Sequence, residues 1–259
     1  MLWGAGPRSA PAPRSQTLAG ADPDRLLGVY RQGQNSLQAA NAKEKRGKRL
    51  PISEDQTEPA PSTTLKGMKL YERWLDRAAQ DRLVCDLRRV IAAAPLFAPI
   101  TRFGRPMSVR MTSAGRFGWY ADAKGYRYVE RHPDGSIWPD IPQSVLAIWQ
   151  ALCPKARAPE CCLLNWYGPD ARMGLHQDRD EADFAQPVLS VSLGDDGLFR
   201  VGNHARGGKT QSLWLRSGDV LVMDGASRLL HHGIDRIAPG TSTLLPGPGR
   251  INLTLRVVT

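Results

Sequence analysis

The segment Leu175-His176-Gln177-Asp178-Arg179-Asp180-Glu181 carries the side chains best suited to holding a metal ion. In an extended chain, positions i and i+2 share one face. The imidazole of His176 and the carboxylate of Asp178 can then grip one cation together. A third ligand must come from elsewhere, and His132, His204, His231 and His232 are open candidates. Only the last two lie in a strand-like stretch, Leu229-Leu230-His231-His232-Gly233-Ile234. Two imidazoles and one carboxylate on a single face leave coordination positions free, which is the arrangement of non-haem iron oxygenases. Structural zinc closes all four positions instead. Taken alone, the His-x-Asp pair also describes a surface histidine beside a solvated aspartate.

A second group of polar residues lies near the end of the chain. In Arg250-Ile251-Asn252-Leu253-Thr254-Leu255-Arg256, apolar and polar residues alternate with the strand period. Arg250 and Arg256 fall on one face with Asn252 and Thr254 between them. Their Cα atoms are about 20 Å apart in an extended strand. Inward-reaching guanidiniums would leave a gap suited to a short dicarboxylate, since arginine binds carboxylates bidentately. Asn165 and Tyr167 share a face of another strand and can add hydrogen bonds.

These residues need a rigid scaffold, and the chain has material for one. Hydrophobic residues make up 41% of its 259 residues, enough for a sizeable core. The formal net charge of +10 favours polyanionic partners. No apolar run reaches the roughly 20 residues that span a bilayer, and no apolar signal core opens the chain. A cytoplasmic location is expected. Cys85, Cys153, Cys161 and Cys162 contain no Cys-x-x-Cys pair, so free thiols are expected rather than a cysteine zinc site. Residues 1–65 are rich in Pro, Ala, Gly, Ser and Gln and read as a disordered tail. Within it, Lys43-Glu44-Lys45-Arg46-Gly47-Lys48-Arg49 is a basic run that could contact phosphates.

From Met68 onward the pattern becomes globular, and residues 66–259 read as one domain. Tyr71, Trp74, Leu75, Ala78, Leu83, Leu87 and Ile91 recur at helical intervals until Pro95. Residues 142–152 read as a second helix. Strands are expected at 107–111, 161–167, 188–193, 213–215, 220–223, 229–234 and 251–258. The fold class is therefore mainly β with flanking helices, a sandwich or barrel. No phosphate-binding glycine loop of the GxxxxGK[ST] or GxGxxG type occurs.

Four segments in order, Leu164-Asn165-Trp166-Tyr167, His176 to Glu181, Ser227 to Ile234 and Arg250 to Arg256, resemble the AlkB family of nucleic-acid repair dioxygenases, the bacterial type in particular. Met107 to Trp119 and Gly125-Tyr126 fit the same type, and the similarity covers roughly residues 68–259. The resemblance implies a double-stranded β-helix, or jelly roll, with Fe(II) at one mouth. It implies His176, Asp178 and His232 as ligands, His232 being the one that precedes Gly-Ile. It assigns 2-oxoglutarate to Asn165, Tyr167, Arg250, Asn252 and Arg256, with Arg250 at the distal carboxylate and Arg256 at the carboxylate nearest the iron. Met111, Trp119, Tyr126, Asp180 and Arg228 fall to the substrate. Trp119 and Tyr126 grip the extruded base, Asp180 meets its amino group and Arg228 supports the loop.

The activity implied is oxidative demethylation of 1-methyladenine and 3-methylcytosine in DNA by a monomer. Consumption of O₂ and 2-oxoglutarate accompanies release of succinate and formaldehyde. A target base must leave the stack to reach the metal. Two other readings use part of the same evidence. The same catalyst could act on RNA, tRNA included, or on protein. A cupin-like or basic nucleic-acid-binding module without catalysis is the other, although it has no use for paired arginines on the last strand.

Overall fold

The computed structural model describes residues 58–101 and 104–259. The expected disorder of residues 1–57, and the basic run at 43–49, lie outside the described residues. Residues 58–65 do not behave as a tail. Strand β1 (Thr63–Leu65) pairs antiparallel with β2 (Met68–Tyr71), and Glu58 bonds Lys69 and Tyr71. The boundary expected at 65 thus falls at the end of a strand that the domain already uses.

Helix α1 (Arg77–Ala93) follows, then β3 (Val109–Gly115), β4 (Gly118–Asp122) and β5 (Gly125–Val129). Helix α2 (Gln143–Leu152) leads into β6 (Cys161–Tyr167), β7 (Met173–His176), β8 (Val188–Gly194) and β9 (Asp196–Val201). The chain ends with β10 (Gln211–Leu215), β11 (Val220–Met223), a 3₁₀ turn at Gly225–Ser227, β12 (His232–Ala238) and β13 (Arg250–Arg256).

Two sheets face each other. The larger has the order β1-β2-β11-β8-β13-β6-β3, the smaller β10-β9-β12-β7, and β4-β5 forms a separate hairpin. This is a jelly roll, as the family resemblance implied. Alternation divides the core. Cys162, Leu164, Leu189, Val191, Leu253 and Leu255 point outward from the larger sheet and pack under α1 and α2. Cys161, Leu163, Val188, Leu221 and Met223 point inward, toward Phe199, Val201 and Ile234 of the smaller sheet. Adjacent Cys161 and Cys162 therefore belong to different cores, as residues i and i+1 of a strand must.

Two expected elements begin well after the point their apolar spacing suggests. The helix expected from Tyr71 starts at Arg77, because the Asp76 carboxylate accepts from the Ala79 N–H at 2.7 Å and fixes the N-terminus there. Tyr71 belongs to β2. The strand expected from Leu229 starts at His232, because the Asp224–Ser227 capping box first curls the chain into the 3₁₀ turn.

Cys153, Cys161 and Cys162 are buried, whereas Cys85 is exposed on α1. Burial pushes the Cys153 and Cys161 thiols up to about 12, and Cys162 is raised for the same reason. Titration of the native protein with a chromogenic disulfide should show one fast thiol per chain, and all four after denaturation. Two or more fast thiols in the native state would contradict this packing.

Candidate active site

The candidate metal-ligating groups meet where β7 ends and β12 begins. His176 and His232 are cross-strand partners in the β7–β12 register, which brings their rings to 4.7 Å between centroids. Gly233 permits this pairing, since a Cβ there would lie 2.5 Å from the Met173 carbonyl oxygen. Asp178 follows β7 and turns back toward both rings. One ligand atom from each of His176, Asp178 and His232 lies within 4.8 Å of the others.

The tautomers are set by the backbone. His176 Nδ1 is 3.0 Å from the Gly174 carbonyl oxygen, and His232 Nδ1 is 3.0 Å from that of Leu230. Only a protonated Nδ1 can donate to a carbonyl, so each Nε2 lone pair points at the shared space. His176 Nε2 is 3.7 Å from Asp178 Oδ1, and His232 Nε2 is 3.7 Å from Oδ2, too long for direct hydrogen bonds. Of the other candidate ligands, His231 Nδ1 turns to the Asn203 carbonyl, His132 to Pro95 and His204 to Ala226. Strand register therefore places His232, and not His231, beside His176 and Asp178.

Asp178 is held as an anion. Its burial would raise the carboxyl, but the Arg256 guanidinium and the two imidazoles outweigh that and hold it well below the usual carboxylate range. Arg256 Nη2 donates to Oδ1 at 2.7 Å, leaving Oδ2 buried without a hydrogen-bond partner. Burial, reinforced by His176, pushes His232 down to about 4, so its imidazole is neutral near pH 7.

These residues line a cavity of about 640 Å³ between the sheets. On its β13 wall, Arg250 is fully buried, and no carboxylate forms an ion pair with it among the described residues. Its guanidinium donates to Ser192 Oγ at 2.7 Å and to the Leu215 and Asp195 carbonyls at 3.1 and 3.2 Å, while Nε has no partner. Gly197 makes room for it, since a Cβ there would lie 2.9 Å from Nε. Burial pushes Arg250 down to about 10, as expected of a cation without a counter-ion. Asn165 and Asn252 are cross-strand partners beside it, and Tyr167 pairs with Arg250 across β6–β13. Asn165 Oδ1 is buried and unpartnered, whereas Asn252 donates to Ser190 Oγ at 2.7 Å.

At the other end, Trp119 and Tyr126 of the β4–β5 hairpin stack at 5.2 Å with 22° between planes. Trp119 Nε1 donates to Asp180 Oδ2 at 3.1 Å. Met111 lies on the cavity wall and Tyr126 is exposed at the rim. Arg228 does not line the cavity. It is buried behind the loop, donating to the Asp178 carbonyl at 2.6 Å, to Glu181 Oε2 at 3.0 Å and to the Gln186 carbonyl at 3.0 Å. Its place is loop support rather than base contact. Sequence reasoning missed Glu181, Tyr128, Ser190 and Ser192, which hold the functional side chains from behind.

Residues 67–256 match the model of the 2OG-Fe(II) oxygenase superfamily. The chain is 51% identical over 197 residues to the alpha-ketoglutarate-dependent dioxygenase AlkB homolog of Caulobacter vibrioides, spanning 76% of this chain and 90% of that one. The chain belongs to the AlkB family. It is also 36% identical over 208 residues to AlkB of Escherichia coli, spanning 77% and 94% of the two chains. The solved structure of OsALKBH1 superposes with a TM-score of 0.63 at 30% identity, covering 75% and 98%. As a member, this chain is an Fe(II)- and 2-oxoglutarate-dependent dioxygenase.

Its residues fit those groups. Seven buried side-chain atoms lack hydrogen-bond partners among the described residues, and those on Asn165, Asp178 and Arg250 belong to residues that line this cavity. Orphaned buried polar atoms are costly, so their concentration marks where a polar ligand belongs. Two nitrogens and one carboxylate oxygen suit Fe(II) with positions left open.

His232 titrates below its ordinary value of 6.5 in the metal-free fold, so the unfolded chain takes up its proton first as pH falls. Metal-free protein should therefore lose stability between pH 6.5 and about 4, by about 2 kcal/mol at pH 5. Urea midpoints at pH 7 and pH 5 check this. A His232→Gln variant should show a shallower fall, and an unchanged slope would contradict a buried neutral His232.

Proposed function

We propose that this dioxygenase removes N-linked alkyl groups from nucleic-acid bases, with 1-methyladenine and 3-methylcytosine in DNA as its substrates. One observation carries the reading. A single cavity has the metal-ligating triad and the Arg250 wall at its floor, and a stacked aromatic pair with Asp180 at its mouth. When bound, Fe(II) supplies the oxidation that couples decarboxylation of 2-oxoglutarate by O₂ to hydroxylation of the alkyl carbon, which then leaves as formaldehyde.

The chain's own residues do the remaining work. His176, Asp178 and His232 hold the metal, and the carbonyls of Gly174 and Leu230 keep the imidazoles aimed. Arg250 receives the distal carboxylate, assisted by Asn165, Tyr167 and Asn252. Arg256 steadies Asp178 and faces the co-substrate's near end. The aromatic rings of Trp119 and Tyr126 receive a base rotated out of its stack, and a cationic lesion gains from both the ring faces and the Asp180 carboxylate. Buried walls of Met111, Leu163 and Phe199 keep bulk water from the reacting carbon.

A relative named as a nucleic-acid enzyme supports the substrate class: the human nucleic acid dioxygenase ALKBH1 shares 39% identity over 80 residues, beside the E. coli AlkB and C. vibrioides AlkB homolog dioxygenases. We further infer a monomer acting in the cytoplasm on single- or double-stranded DNA. Four free cysteines agree with a reducing compartment, and no described helix is long and apolar enough to cross a membrane.

The test is formaldehyde release from oligonucleotides carrying 1-methyladenine in DNA and in RNA, with a methylated peptide as comparison. DNA should be turned over fastest, and turnover of the peptide alone would refute the substrate class. Asp178→Ala should reduce formaldehyde release by more than the roughly 10–100-fold typical of outer-shell losses, while oligonucleotide affinity is largely spared. Arg250→Ala should raise the KM for 2-oxoglutarate about 10- to 100-fold, the worth of a lost charge-assisted contact. An unaltered KM would move the diacid elsewhere.

A further inference from the structure

The β4–β5 hairpin is tied to the metal-binding loop at two points, and only one is explained by substrate contact. Trp119 donates to Asp180, at the cavity mouth. Tyr128, the register partner of Trp119 across the hairpin, shares its face, and its hydroxyl reaches past the mouth to donate to the buried carboxylate of Glu181. That same hydroxyl accepts from Arg256 Nη1 at 3.3 Å.

Glu181 sits between two guanidiniums that each hold a different part of Asp178. Arg228 bonds Glu181 Oε2 at 3.0 Å and the Asp178 backbone carbonyl at 2.6 Å. Arg256 places Nε 3.3 Å from Glu181 Oε1 and Nη2 2.7 Å from Asp178 Oδ1. All four charged side chains are buried. Movement of the hairpin therefore reaches the metal-binding carboxylate through two hydrogen-bonded steps, from Tyr128 to Arg256 and from Arg256 to Asp178.

We propose that Tyr128 is a positioning residue that couples the hairpin's grip on an extruded base to the setting of the Asp178 carboxylate at the metal. This rests on the reading of Trp119 and Tyr126 as the base grip. Binding a base draws the hairpin down, and the Tyr128 hydroxyl then holds Arg256 and Glu181 in the arrangement that presents Asp178 Oδ2 to the cation. By linkage, filling the metal site must strengthen base binding by the same factor.

The test measures binding of a labelled single-stranded oligonucleotide carrying one 1-methyladenine, by fluorescence anisotropy under nitrogen. Wild-type and Tyr128→Phe proteins are compared without metal and with saturating Fe(II) and 2-oxoglutarate. Tyr128→Phe keeps the ring and removes one hydroxyl, and Tyr120→Phe on the same hairpin serves as control. In the wild type and the control, loading should tighten binding by about 5- to 150-fold. In Tyr128→Phe the metal-free affinity should match wild type, while the tightening shrinks to less than about twofold. If both affinities of the variant fall together with their ratio intact, the hydroxyl is merely structural and the proposal is overturned. A wild-type ratio of one also overturns it. Absence of any binding by the wild type would instead overturn the substrate reading on which it rests.

Discussion

The carboxylate of Asp178 is divided between two partners, and the site depends on that division. Oδ1 accepts a short hydrogen bond from Arg256, and Oδ2 has no hydrogen-bond partner and faces the imidazoles. A buried carboxylate with no cation beside it would take up a proton and lose its value as a ligand. The guanidinium keeps it ionised and also fixes its rotation, so that one oxygen remains for metal. Removing one partner of such a buried pair typically costs about 3–5 kcal/mol. The second tier of Glu181 and Arg228 extends the arrangement, so that each charge in this cluster has an opposite charge beside it.

Arg250 lies outside that arrangement, and its isolation is informative. It is a fully buried cation with carbonyl and hydroxyl partners but no anion paired to it among the described residues. Under the proposed function, a carboxylate of the diacid is the anion that would complete the balance. A divalent cation and a doubly charged acid entering together bring no net charge into the cavity. The scaffold is thus matched to two ligands at once, with the triad at the β7–β12 junction and the arginine on β13 in the facing sheet.

Much of this was legible in the alternation of single strands. The polar face of Arg250, Asn252, Thr254 and Arg256, and that of Asn165 and Tyr167, follow from a period of two, and the structure turns both faces into one cavity. Elsewhere the relevant information lies between strands. His176 and His232 meet because of the β7–β12 register, which no spacing within either segment encodes. Strand β7 itself is four residues long and contains a glycine, so it carries almost no pattern. Glu181 carries no signal of its own in the sequence, and Arg228 is placed beside the loop only by the family resemblance; that each is buried against the other is a matter of three-dimensional packing. The capping groups at Asp76 and Asp224 likewise overrode apolar spacing at the starts of α1 and β12.

The central claim is that the His176–Asp178–His232 group and the diacid-binding wall open onto one shared space. Anaerobic titration of the protein with Fe(II) followed by 2-oxoglutarate tests it most directly, read as the visible metal-to-ligand charge-transfer absorption of a chelated 2-oxo acid. A band that saturates at one equivalent of each, and disappears when Asp178 is replaced by alanine, is the predicted result. Iron binding with no such band on addition of 2-oxoglutarate would show that the two sites do not meet, and would contradict the account.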